Sequence, residues 1–248
     1  MSIDVLASIV LTAGAAIVLS GMAVGFGEDT RSRVRIAGWL GLWFVLVAAM
    51  AAGGWLTYPH GLGTPGLGVA VCLPVIVMAG MVYGMPSLRR ALRHVPLSLL
   101  VALHGVRVLG VFFLILHAAG RLPAPFAPLA GWGDVLAGAA AVPLAWLVRR
   151  SERAARPLVW CWNGFGMLDL VLAVALGAVS APGPLQLIDA APGTSLMTGL
   201  PWLLVPAFLV PLLAALHLAV FYRLSTGEQT PPPRWREGGN PARTGHVG

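Results

Sequence analysis

Apolar residues in this chain fall in long unbroken stretches. Seven of them reach the ~20 residues that a helix needs to cross a hydrocarbon core. They lie at about 4–25, 36–57, 67–86, 96–118, 130–148, 158–179 and 199–222. The ten-residue alternating segments of an outer-membrane barrel are absent. The pattern predicts an all-α fold: a polytopic membrane protein whose residues 1–224 form a seven-transmembrane-helix bundle. The first stretch has no basic region before it and carries Asp4, so it reads as a signal anchor rather than a cleaved signal peptide.

Polar interruptions give the orientation. Arg31, Arg33 and Arg35 follow the first stretch, and Arg89, Arg90 and Arg93 follow the third. Arg149, Arg150, Arg153 and Arg156 follow the fifth, and Arg223, Arg234, Arg236 and Arg243 follow the seventh. Fourteen arginines thus fall on one side, Arg121 alone falls on the other, and Arg107 lies within a span. By the positive-inside rule the N-terminus is out and the C-terminus in, which predicts a multi-pass protein of the cell inner membrane. Trp39, Trp146, Trp160 and Trp162 near one set of ends, and Trp55, Trp132 and Trp202 near the other, match headgroup-level aromatic belts.

The connections are short except for 119–130 and 180–198, two Pro- and Gly-rich segments on the outer side that read as connectors or as a lid. From Ser225 the chain loses apolar periodicity and reads as a disordered cytoplasmic tail, residues 225–248. The spans do not divide into matching halves, which argues against an inverted-repeat transporter.

Composition agrees: 58% of residues are hydrophobic, 10% are charged and the mean hydropathy is +0.83. Soluble domains run nearer 45–50% apolar and about 25% charged. The net charge of +7 comes from interhelical arginines, so the expected partner is the lipid bilayer, not nucleic acid. A membrane protein partner or a second copy of the chain is also compatible. There is no lysine, so a retinal Schiff base is excluded. Cys72 and Cys161 lie inside apolar stretches and indicate neither a disulfide framework nor a thiolate metal site. HExxH, HxxxH, GxSxG and P-loop motifs are absent, so nothing points to an enzyme.

Candidate chemistry rests on polar groups inside the spans, which are costly unless paired or hydrated. These are His104, Arg107 and His117 in the fourth, Asp134 in the fifth, Asn163 and Asp169 in the sixth, and His217 in the seventh. A rise of 1.5 Å per residue puts Arg107 and Asp169 ~16 and ~18 Å deep, so they are expected to pair near the midplane. His104 lies three residues from Arg107 and shares its face. Asn163 and His217 lie at comparable depth, and Trp162, Gly166 and Asp169 share a face. Asp134 reads as a carboxylate favouring the start of the fifth helix near the outer surface. His117 faces away from His104, near the outer end, within reach of His60.

The principal expectation is a buried site of Arg107, Asp169, His104, His217, Asn163 and Trp162 that binds or transports a small molecule, an ion or a proton. Arg107 supplies fixed charge, Asp169 is its counter-ion and the histidines titrate. Two alternatives stay open. One is a membrane redox subunit in which His104 and His217 ligate haem b or another metal, or flank a quinone. The other is a scaffold or assembly factor in which the ion pair is purely structural.

Overall fold

A computed structural model describes residues 2–226; the expected tail beyond Thr226 lies outside the described residues. These residues form helices and connections without strands. Seven helices among them are long and apolar enough to cross a membrane. In chain order these are α1 (Ile3–Phe26), α2 (Thr30–Ala52), α3 (Gly63–Gly84), α5 (Leu97–Ala118), α6 (Phe126–Arg150), α7 (Glu152–Val179) and α8 (Val205–Ser225). Between α3 and α5 sits α4 (Pro86–His94), an amphipathic helix that buries Leu92 and leaves Arg90 and His94 exposed. Sequence reading placed a plain connection there.

Several helices overrun the apolar stretches that foretold them. α2 starts at Thr30, where Asp29 and Ser32 make a reciprocal capping box. α7 starts at Glu152, capped by Ser151. Arg31, Arg33, Arg35, Arg153 and Arg156 therefore sit on helical turns instead of in loops. Hydropathy marks the thickness of a hydrocarbon layer, whereas a helix continues until its backbone finds a cap.

Two spans are irregular. α5 is α-helical over Leu97–Leu103, 3₁₀-helical over His104–Gly110 and α-helical again over Val111–Ala118. α8 opens with a π-helical turn, Val205–Leu209, which contains Pro206. Proline removes a backbone donor, which accounts for irregular geometry at that end.

The centre of the bundle is α5, α6, α7 and α8. α6 presents a stripe of small buried residues, Ala127, Ala130, Gly131, Ala137, Gly138 and Ala141, that lets neighbouring backbones approach closely. α2 and α3 lie at the periphery and leave broad apolar faces exposed, including Leu42, Val45, Leu73 and Ile76. Cys72 on α3 and Cys161 on α7 are free and exposed.

At one end, Arg223 donates to the Arg93 carbonyl and Arg156 donates to the Leu224 carbonyl (2.6 Å). At the other, Arg121 makes a two-point contact with Asp4 (3.0 and 3.2 Å), which also accepts from Trp202 Nε1 (2.9 Å). Trp202 is thus buried beneath α1, and Trp162 is buried within the bundle. Each is buried and its indole N–H finds an acceptor inside the protein.

Candidate functional site

Arg107 sits halfway along α5, within the 3₁₀ segment. With three residues per turn, positions i and i+3 eclipse rather than drift. His104, Arg107 and Gly110 therefore line one stripe, and all three are buried. The stripe faces α6 at close range: a Cβ on Gly138 would lie 2.6 Å from Val108 N, and one on Gly110 would collide with Asp134. Glycine at these two points is what admits the guanidinium between the helices.

The guanidinium is engaged on every side. Nε donates to Asp134 Oδ1 of α6 (2.7 Å), and Nη2 forms an ion pair with Asp169 Oδ2 of α7. Nη1 donates to the Gly166 carbonyl (2.9 Å) and lies 2.9 Å from His217 Nε2 of α8. A guanidinium can only donate, so His217 Nε2 accepts and the proton of the neutral ring sits on Nδ1. Nδ1 then donates to Asn163 Oδ1 (2.7 Å), and Asn163 Nδ2 donates to the His217 backbone carbonyl (3.1 Å). One chain of polar contacts thus joins Asn163, His217, Arg107 and both carboxylates across four helices. Gly166 leaves the required space: a Cβ there would lie 2.8 Å from His217 Nε2 and 2.9 Å from Arg107 Nη1.

His104 and Trp162 complete the wall. The His104 ring lies against that of His217, centroids 3.9 Å apart, and edge-on to Trp162 at 5.1 Å. Trp162 donates to the Ala137 carbonyl (2.9 Å). Neither nitrogen of His104 has a hydrogen-bond partner among the described residues, although the residue is wholly buried.

The six residues expected to share a polar site are therefore brought together. The expected pairing of Arg107 with Asp169 is present, but it is one half of a larger arrangement. Asp134 is the correction. α6 begins at Phe126, so Asp134 stands ~12 Å inside the helix by its rise, not at its N-terminus, and holds Arg107 from the opposite side. The signal that points to it is the run of small residues on its own face, Gly131 and Gly138 among them, which leaves room only for a partner reaching in from another helix. His117 takes no part: its Nδ1 lies 3.1 Å from the Leu122 carbonyl, and His60 is exposed.

The histidine pair has little of the geometry of a metal or haem site. The rings stack instead of turning two nitrogens towards a shared point, and both nitrogens of His217 are engaged. Among the described residues, no group of three or more His, Cys, Asp or Glu side chains is placed to hold a metal ion.

Two cavities adjoin the site. One, of about 30 Å³, touches Arg107, Gly110 and Asp134 and is closed by Leu11, Trp202 and Leu213. The other, of about 70 Å³, runs from Asp134 between α3, α7 and α8 to Thr64 and Thr194.

No curated protein and no solved structure matches the chain. One family does match, over residues 64–225, a stretch that runs from the first turn of α3 to the end of α8 and holds every residue of the polar network. The chain belongs to that family, a domain of unknown function, DUF8737.

Proposed function

We propose that this is a multi-pass protein of the cell inner membrane, N-terminus out and C-terminal tail cytoplasmic, whose buried site binds and exchanges a proton. The observation that carries the reading is the stoichiometry around Arg107: one guanidinium between two carboxylates, Asp134 and Asp169, inside an apolar bundle. With both carboxylates ionised the cluster holds one unbalanced negative charge, and an uncompensated charge at that depth costs several kcal/mol. A proton on either carboxyl removes it. The same geometry disfavours an anion as ligand, because four of the five guanidinium N–H groups already have acceptors.

The test is infrared difference spectroscopy on the full-length protein in bilayers, between acid and alkaline pH. The expected result is a carboxylic-acid carbonyl band that disappears in Asp134→Asn or in Asp169→Asn. A spectrum with no such band at either pH sinks the proposal.

A purely structural role for the network is the second reading, favoured by the way Arg107 ties four helices at one point. Proton flux into vesicles separates the two. If Arg107→Leu, Asp134→Leu and Asp169→Leu together leave flux unchanged, the network is a clasp and the proton reading falls.

A further inference from the structure

We propose that the cavity of about 70 Å³ beside Asp134 is a binding site for a small lipophilic amine in its protonated form, entering between α3 and α7. The inference rests on the proton-site reading above, since it gives the same unbalanced charge a second occupant.

The walls are apolar and come from five helices, among them Val71 of α3, Phe113 of α5, Phe126 of α6, Ala173 of α7 and Pro206 of α8. At its inner end stands Asp134, whose Oδ1 is taken by Arg107 while Oδ2 has no hydrogen-bond partner among the described residues. Its side chain keeps 12% of its surface, whereas that of Arg107 keeps none, so the carboxylate is the charged group open to an occupant. Thr64 lies at the far end, 7% exposed, with a hydroxyl that has no partner among the described residues. The lip is formed by Gly68, which is exposed and whose added Cβ would meet nothing within 4 Å, and by half-buried Ala173. Exposed Val69 and Leu172 flank it, so the opening lies in the apolar belt of the molecule.

A site of this kind selects by charge at one end and by apolar surface along the rest. An ammonium donates to the free oxygen of Asp134 and supplies the missing positive charge. A carboxylate of equal size adds to the excess, and an alcohol leaves it uncompensated. At ~12 Å³ for each water-sized centre, the volume accommodates roughly five or six heavy atoms. The matching ligand is a short primary alkylammonium. Its binding and carboxyl protonation are mutually exclusive: the ammonium enters, the carboxyl O–H bond breaks, and the proton leaves to solvent.

The experiment is calorimetric titration of the full-length protein in detergent with n-butylammonium, n-butanol and butyrate. It is run at a pH where the carboxyl is protonated, in buffers of different ionisation heat. The expected result is binding of butylammonium alone, with release of about one proton per amine bound, the carboxyl proton that the ammonium replaces. Binding should be lost in Asp134→Asn, and weakened tenfold or more in Ala173→Phe and Gly68→Leu, which fill the lip without touching Arg107. Equal binding of butanol, or binding unchanged in both lip variants, would overturn the proposal. A pH-dependent carboxylic-acid band without butylammonium binding overturns this inference and leaves the proton site standing. Butylammonium binding that depends on Asp134 but releases no proton keeps the amine site and overturns the exchange.

Discussion

His217 accepts from Arg107 through one nitrogen and donates to Asn163 through the other, whereas neither nitrogen of His104 has a partner among the described residues. The same substitution should therefore act differently at the two positions. His217→Phe strands a guanidinium N–H and the Asn163 oxygen, and should cost about 1–3 kcal/mol. His104→Phe replaces two unsatisfied buried nitrogens by carbon within the same ring stack, and is expected to be neutral or stabilising. Unfolding by SDS in mixed micelles measures both. Arg107→Ala should be harsher, at about 3–5 kcal/mol, because it leaves two carboxylates facing each other without their cation. The triple leucine variant, which removes all three charges together, should lie close to wild type. Much of this cluster is legible in the sequence, since ionisable groups inside apolar stretches are few and each needs an answer. Arg107, Asp169, Asn163 and His217 are found on that argument. Asp134 is misread because its meaning depends on where α6 begins, and the apolar run gives that start four residues too late.

The 3₁₀ segment of α5 decides how close α6 can come. Its backbone at Arg107 and Val108 lies where a Cβ on Gly138 would fall, at 2.9 and 2.6 Å. Backbone cannot turn aside as a side chain can, so Gly138→Ala should push the helices apart and loosen the Arg107–Asp134 contact. Gly164, also helical, meets nothing within 4 Å. Gly164→Ala should leave stability unchanged or raise it by about 0.5–1 kcal/mol, the ordinary helical preference for alanine. A pair of unfolding curves checks the contrast, and equal losses at both positions would show that close approach is not what Gly138 provides. This level of structure is only partly legible beforehand. Seven spans follow from seven apolar runs. The 3₁₀ turn, however, lies where α5 packs closely on α6, which no apolar run marks, and α4 is too polar and short to register in a search for spans.

The charge asymmetry between the two ends is sharper in three dimensions than along the chain. Arg121, the one arginine assigned to the outer connections, is neutralised by Asp4, while the opposite end gathers Arg93, Arg156 and Arg223 around α4, α7 and α8. The positive-inside rule predicts that this opposite end is cytoplasmic. In a background lacking Cys72 and Cys161, a cysteine at Thr226 should react with an impermeant maleimide only after the cells are opened. One at Leu187, 82% exposed in the connection before α8, should react in intact cells. The result bears on mechanism as well as on topology. Asp134 lies ~12 Å along α6 from Phe126, at the end opposite the arginines. The larger cavity leads from it towards Thr64 and Thr194 at that same end. If the labelling holds, the end of α6 nearer Asp134 is the outer end, and under the proton-site proposal the carboxylates would exchange with that side. If Thr226 labels from outside, the polarity is reversed and the same carboxylates would exchange with the inner side.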